Sequence, residues 1–118
     1  MGKTKKDISV TGRTAEEVRA VVQNWFSENK IDTVQSTNNS IKGRWGIGFL
    51  TAAKYFQVTF TPMEGGVIAQ TEGWISAYGI STLDFKQSAM SAGGIPRKEG
   101  WKAMERLWSL LESLSNNP

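Results

Sequence analysis

Glu72 is the side chain of this sequence best placed for acid–base chemistry. The chain contains no histidine and no cysteine, which excludes Ser-His-Asp triads, thiol nucleophiles and Cys/His zinc sites. Glu72 lies two residues before Trp74, and an aromatic neighbour that excludes water suits a carboxyl group to general acid catalysis. No second acid shares its strand face, and we favour the alternative of an exposed carboxylate on a solvated face. We therefore expect a protein that is not an enzyme and that needs no cofactor.

Two further spacings match chemical motifs only in part. Ser27 and Lys30 have the spacing of a serine–lysine nucleophile, but the Ser-Asp-Asn and Lys-Thr-Gly elements that accompany it are absent. Gly46 and Gly48 could begin a phosphate-binding loop, but Thr51 stands where the dinucleotide motif requires glycine. We interpret the first as a chance match at a helix end and the second as a bulge or tight turn. The sequence holds no Asp-x-Asp-x-Asp-Gly calcium loop, and we predict no metal site.

The basic charge of the chain is spread over two regions. The net charge is +3 and the isoelectric point is 9.3, with the excess cations in residues 1–13 and 30–62. A basic protein can bind nucleic acid or an anionic membrane, but such binding needs its cations close together. The basic N-terminus is not followed by the ~7–15 apolar residues of a signal peptide, and no run reaches the ~18–20 apolar residues of a membrane span. We expect a cytoplasmic protein.

Two amphipathic helices are predicted. Thr14 and Glu17 form a capping box, in which each side chain accepts a hydrogen bond from the backbone N–H of the other residue. Apolar residues follow at helical spacing, which predicts a helix over 14–28 with Asn29 as its left-handed end. A second apolar stripe predicts a helix over 96–114. Each helix needs an apolar partner for its buried face.

Alternation of apolar and polar residues predicts strands on either side of the first helix. Residues 62–66 have the composition of a turn between two of these strands. Residues 80–85 are predicted to form either a further short strand or the start of a short helix. The sequence does not decide between strand and helix for residues 80–92. The predicted strands cover residues 7–11, 31–36, 40–45, 54–61 and 67–75.

These elements predict one α+β domain over residues 7–114. Residues 1–6 are expected to form a disordered basic tail, and residues 115–118 a frayed tail. The strands supply one apolar face for both helices, so we expect a curved antiparallel sheet with the two helices packed on one side.

The element order β-α-β4-α resembles the TATA-box-binding-protein-like and helix-grip folds. The resemblance rests on the patterns of Thr14–Phe26, Lys54–Ile75 and Pro96–Leu114. It implies this architecture, and it carries no functional residue onto the chain.

The sheet face that points away from the helices is the predicted binding surface. Period-two spacing puts Lys42 and Arg44 on one face, and Tyr55 and Trp74 fall on the same face. Cations beside aromatic rings on an open sheet suit base stacking, although the RNA-binding aromatic signature is absent. A bulge that turns Trp74 inward is the alternative. The predicted surface comprises Lys42, Arg44, Tyr55, Gln57, Thr59, Gln70 and Trp74.

An apolar cavity between the curved sheet and the second helix is the alternative site. Trp101, Met104 and Trp108 would line it, although burial in an ordinary core explains the same three side chains. The uncharged stretches Trp45–Ala53 and Gly73–Leu83 could rim such a pocket or an oligomer contact. Ordinary core strands are the simpler explanation for both stretches.

Two functions follow from these two surfaces. The first is a non-enzymatic binding module whose open sheet face takes a protein, or a nucleic acid held loosely because the face is only weakly charged. The second is a carrier of a small apolar ligand. Nucleic-acid binding weakens steeply with salt, whereas apolar ligand binding does not, and this difference separates them.

Overall fold

The computed structural model describes residues 3–46, 53–77, 81–83, 85 and 94–115. Six strands and two helices lie in these ranges. In chain order they are β1 (Thr4–Thr11), α1 (Ala15–Glu28), β2 (Asp32–Ser36), β3 (Ser40–Trp45), β4 (Ala53–Met63), β5 (Gly66–Ala77), β6 (Ser81–Leu83) and α2 (Gly94–Ser115).

The strands form one antiparallel sheet in the order β1-β5-β4-β3-β2. β5 pairs with β1 through residues 66–73 and with β6 through residues 75–77. β6 and β1 therefore lie end to end at one edge, where the backbone N–H of Phe85 donates to the hydroxyl of Thr4 at 2.9 Å. The α+β class and the single domain predicted from the sequence are confirmed.

The N-terminal strand begins earlier than the sequence analysis predicted. Residues 4–6, assigned to a disordered tail, belong to β1, where Lys5 is opposite Glu72 and Lys6 is opposite Thr71. The run of lysines obscured the continuing alternation, in which Thr4 is buried on the same face as Ile8. Residues 1 and 2 lie outside the described ranges.

The end of the second helix also differs from the prediction. Ser115, assigned to a frayed tail, is the last residue of α2. Its hydroxyl accepts from the backbone N–H of Thr11 at 2.9 Å and donates to the carbonyl of Ser9 at 3.1 Å, so β1 anchors it. Residues 116–118 lie outside the described ranges.

The capping box at the start of α1 is present. The backbone N–H of Glu17 donates to the Thr14 hydroxyl at 3.1 Å, and the backbone N–H of Thr14 donates to the Glu17 carboxylate at 2.9 Å. This second bond, which favours the charged form, lowers the pKa of Glu17 below its ordinary value of 4.5.

The left-handed residue after α1 is Lys30, with a φ of 59°, and not Asn29 as predicted. Asn29 instead donates its side-chain amide to the carbonyl of Trp25 at 2.8 Å. The same carbonyl also accepts from the backbone N–H of Asn29 at 3.1 Å, so Asn29 caps the helix end without a left-handed backbone and the reversal falls one residue later.

β4 continues through Pro62, where the sequence analysis predicted a turn. Pairing between β3 and β4 ends at Ser40 opposite Thr59, and the N–H of Phe60 donates to the carbonyl of Asn39 at 2.7 Å. The backbone nitrogen of Pro62, two residues after Phe60, points to the same edge of β4 as the Phe60 N–H. β3 has already ended at that point, so the missing N–H of Pro62 removes no sheet hydrogen bond. The turn consists of Glu64 and Gly65 and is shorter than the predicted turn over residues 62–66. Gly65 has a φ of 79°.

Residues 81–83 form a strand, which settles part of the choice left open for residues 80–92. Residues 80, 84 and 86–92 lie outside the described ranges. Phe85 follows β6 in a turn, and its ring is buried in the core.

Both helices pack on one face of the sheet. α2 covers β1 and β5, and α1 covers β4, β2 and β3. The strand residues of this face alternate with outward-pointing polar ones. The largest fully buried side chains are Phe26, Phe56, Ile41, Ile75, Met104, Leu107, Leu111, Val10, Val18, Val22 and Val58.

Gly43 and Gly73 let large side chains approach the sheet backbone closely. A Cβ atom on Gly43 would lie 2.6 Å from a ring carbon of Phe26. A Cβ atom on Gly73 would overlap the ring of Phe85 and lie 3.1 Å from the sulfur of Met104. Because protein cores are close-packed, these two glycines set how near those side chains come to the sheet.

We expect Leu107→Ala to lower the free energy of unfolding by about 2–5 kcal/mol, because it leaves a cavity under α2. Leu107 is fully buried, whereas Glu105 on the same helix is exposed. Glu105→Ala is the control and should change stability by less than about 0.5 kcal/mol. Urea unfolding measures both, and equal midpoints would contradict this assignment of the helix faces.

We expect Thr14→Ala to destabilise the protein by about 1 kcal/mol through loss of the side-chain cap of α1. Thr14→Ser keeps the hydroxyl that accepts from Glu17, so it should retain most of the stability. Thermal unfolding of the two variants tests this. An alanine variant as stable as the serine variant would show that the cap does not stabilise the helix.

Candidate binding surface

The structure places all seven predicted binding residues on the sheet face opposite the helices. The register brings Arg44, Tyr55 and Trp74 into one cross-strand row and Lys42 and Gln57 into the next. Thr59 and Gln70 are paired in a third row. We name this surface the outer face.

Trp74 and Tyr55 form the centre of the outer face. Their rings are stacked nearly parallel, with centroids 5.5 Å apart and planes inclined by 11°. The ammonium group of Lys3 lies 4.3 Å from the Trp74 ring centroid, and that of Lys42 lies 6.0 Å away. Aromatic stacking and cation–π contacts both stabilise this arrangement.

Trp74 is buried although it lies on the outer face. No bulge interrupts the β4–β5 pairing, so the alternative in which Trp74 turns inward is wrong. Only 8% of its surface is exposed, and Tyr55 and Lys3 contact its ring. Among the described residues, side chains of the outer face itself cover this ring.

Glu72 lies in an ion-pair network on the outer face. Its carboxylate is 3.7 Å from the ammonium of Lys5 and 3.9 Å from that of Lys3. Its side chain is a quarter exposed. Within the described residues, no group of three His, Cys, Asp or Glu side chains could hold a metal ion. The arrangement of Glu72 is that of a carboxylate between two lysines.

Lys3 and Lys5 were missed as outer-face residues because their segment was assigned to a tail. The available signal was alternation: Lys3, Lys5 and Asp7 continue the exposed positions of β1 toward the N-terminus. Both lysines add positive charge beside Trp74 and Glu72.

The three residues predicted to line the alternative cavity all belong to α2 but differ in burial. Met104 is fully buried and lies against Gly73 and Phe85. Trp101 and Trp108 are partly buried and meet edge to face, with centroids 5.4 Å apart. The space over Gly73 is therefore filled by the ring of Phe85 and the thioether of Met104.

Trp108 also links α2 to two strands. Its indole N–H donates to the Thr71 hydroxyl at 2.8 Å, and that hydroxyl donates to the carbonyl of Lys6 at 2.6 Å. Thr71 is almost completely buried. The chain of bonds satisfies a buried hydroxyl on the core side of the sheet.

A buried lysine was not among the predicted site residues. Lys54 follows the same alternation as Phe56 and points to the helix side of β4, with 7% of its side chain exposed. Its ammonium group lies 3.7 Å from the Glu99 carboxylate and 4.5 Å from the ring centroid of Trp45. Alternation alone could have revealed this burial.

The two partial motifs contain no assembled site in the described part of the chain. Gly46 has a φ of 99° directly after β3, in agreement with the predicted turn, while Gly48 and Thr51 lie outside the described residues. Ser27 is in the last turn of α1, and Lys30 lies beyond the end of that helix.

The described parts of the uncharged stretches Trp45–Ala53 and Gly73–Leu83 lie side by side at one end of the sheet. Trp45 is opposite Lys54, and Ile75 is opposite Leu83. Residues 47–52 and 78–80 of these stretches lie outside the described ranges. No helix in the described part of the chain is long and apolar enough to cross a membrane.

The fold is similar to that of a protein of known structure. No protein-family model matches the chain, and no curated protein is significantly similar to it in sequence. The crystal structure of TTHA0849 from Thermus thermophilus aligns over 98% of this chain and 95% of that chain, with a TM-score of 0.42 and 13% sequence identity. This similarity carries no argument about function.

We expect the Tyr55–Trp74 stack to contribute a coupling free energy of about 0.5–1.5 kcal/mol. A double-mutant cycle with Tyr55→Ala and Trp74→Ala, followed by urea unfolding, measures it. Ile68 lies on the outer face far from Tyr55, so the cycle of Tyr55→Ala with Ile68→Ala is the control and should be additive within about 0.5 kcal/mol. Equal coupling in both cycles would contradict a specific stack.

Proposed function

We propose that this chain is a non-enzymatic binding module that docks an acidic segment of a partner protein on its outer face. The observation that carries the proposal is the placement of cations on two flanking strands. Lys5 lies on β1, and Lys42 and Arg44 lie on β3; Glu72 and Gln57 are between Lys5 and Lys42 in their cross-strand row. Three strand spacings separate β1 from β3, roughly 14 Å.

The chemistry of the outer face suits a polypeptide partner. Amide and hydroxyl groups on β4 and β5 offer both donors and acceptors to a backbone or to polar side chains. The cations on either side are partly offset by Glu72, Asp7 and Asp32. Such a mixed surface selects a partner and its orientation by complementary charge.

The aromatic pair favours a protein over a nucleic acid. A base stacks on a free ring face, but Trp74 is 8% exposed, with Tyr55 stacked against it and Lys3 over its ring. Stacking a base on Trp74 would require these contacts to separate. The partly exposed side chain of Tyr55 adds apolar contact area beside the cations.

Chemical-shift mapping with a short peptide rich in Asp and Glu tests the proposal. We expect shifts at Lys5, Lys42 and Arg44, because their charges face the peptide. The Lys42→Glu/Arg44→Glu double variant should bind the peptide more weakly by a factor of about ten or more, since two attractions become repulsions.

The matched control reverses two charges on the other side of the molecule. Lys102 and Arg106 are exposed on α2, and the Lys102→Glu/Arg106→Glu variant should bind the peptide as the wild type does. Equal loss in both double variants would overturn the outer face as the docking surface.

Two other outcomes would contradict the proposal and assign a different ligand or a different site. Oligothymidylate that shifts the outer face more strongly than the peptide does, with affinity falling steeply in salt, would assign the surface to nucleic acid. Peptide shifts confined to Trp101, Met104 and Trp108 would refute docking on the outer face and favour a ligand carrier.

A further inference from the structure

Lys54 places a positive charge on the core side of the sheet. Its side chain is 7% exposed, and the strand residue two positions later, Phe56, is fully buried. A charge taken out of water is costly unless opposite charge or dipoles compensate it. The ammonium group therefore requires a counter-ion.

The counter-ion among the described residues is the carboxylate of Glu99, and it is weakly held. The 3.7 Å separation exceeds the roughly 2.7–2.9 Å of a charge-assisted hydrogen bond. The Glu99 side chain is 54% exposed, so water solvates its carboxylate when it turns away from Lys54. A different anion can therefore take its place at low cost.

An aromatic ring lies beside Lys54. Its ammonium is 4.5 Å from the ring centroid of Trp45, which is partly buried. Behind Trp45 the rings of Phe56 and Phe85 are buried in the core and support it, with centroid distances of 6.3 Å from Trp45 to Phe56 and 5.7 Å from Phe56 to Phe85. A cation beside a partly exposed ring matches a molecule with an anionic head and an apolar body.

We infer that Lys54 anchors a site for an apolar carboxylate, in which the carboxylate of the ligand replaces that of Glu99. The apolar body of the ligand then lies against the ring of Trp45. This site is on the opposite side of the sheet from Lys42 and Arg44. It goes beyond the proposed docking function and does not depend on it.

Decanoate and decanol are matched probes for this site, because they share the apolar chain and differ in the charge of the head group. Tryptophan fluorescence titration, in which Trp45 is one of five emitting tryptophans, should show saturable binding of decanoate and weaker binding of decanol. Lys54→Met should weaken decanoate binding by about tenfold or more and leave decanol binding unchanged, because it removes only the charged partner. Glu99→Gln should tighten decanoate binding, since it removes the competing carboxylate.

Lys42→Met is the control, because it removes one lysine from the outer face without touching the site. It should leave decanoate binding unchanged. Urea unfolding establishes that each variant is folded. If Lys54→Met does not fold, the Glu99→Gln variant decides: tighter decanoate binding supports the site, and unchanged binding refutes it. Absence of decanoate binding to the wild type, equal binding of decanol, or equal loss in the Lys42 and Lys54 variants would overturn the inference.

Discussion

The unbroken pairing of β4 with β5 is the constraint on which both faces of the sheet depend. Eleven residue pairs join these strands without a register shift. Side chains alternate between the faces, so a slip of one residue would move Phe56 and Val58 out of the core and bring Gln57 into it. The same pairing sets Tyr55 beside Trp74. The hydrophobic core and the outer face are therefore two results of one register, and neither could shift without the other.

Features that depend on neighbours along the chain were predictable from the sequence. The capping box of α1 joins Thr14 to Glu17, three residues apart, and it defined the helix start. Period-two alternation grouped Lys42 with Arg44 on β3 and Tyr55 with Gln57 on β4, each pair on one face of its own strand. These predictions were sound because the side-chain direction in a strand is fixed by backbone geometry alone.

Features that depend on distant contacts were not predictable. The lysine-rich start of β1 belongs to the sheet because β5 pairs with it, and Pro62 stays in β4 because β3 ends before it. Trp74 lies on the predicted face, and Lys3, a residue assigned to a tail, lies over its ring. Alternation within β4 places Lys54 on the core side, but its contact with Glu99 on α2 was not predictable from that pattern.

The contacts of β1 are with residues far along the chain. Its partner β5 begins at Gly66, and the bonds from Thr4 to Phe85 and from Thr11 to Ser115 span 81 and 104 residues. The hairpins from β2 to β5 involve only short-range closure and are free to assemble earlier. Until β1 pairs with it, one edge of β5 is open along residues 66–73, and such an edge can pair with another chain. Pairing of β1 with β5, and not local helix formation, is therefore the event that completes this sheet.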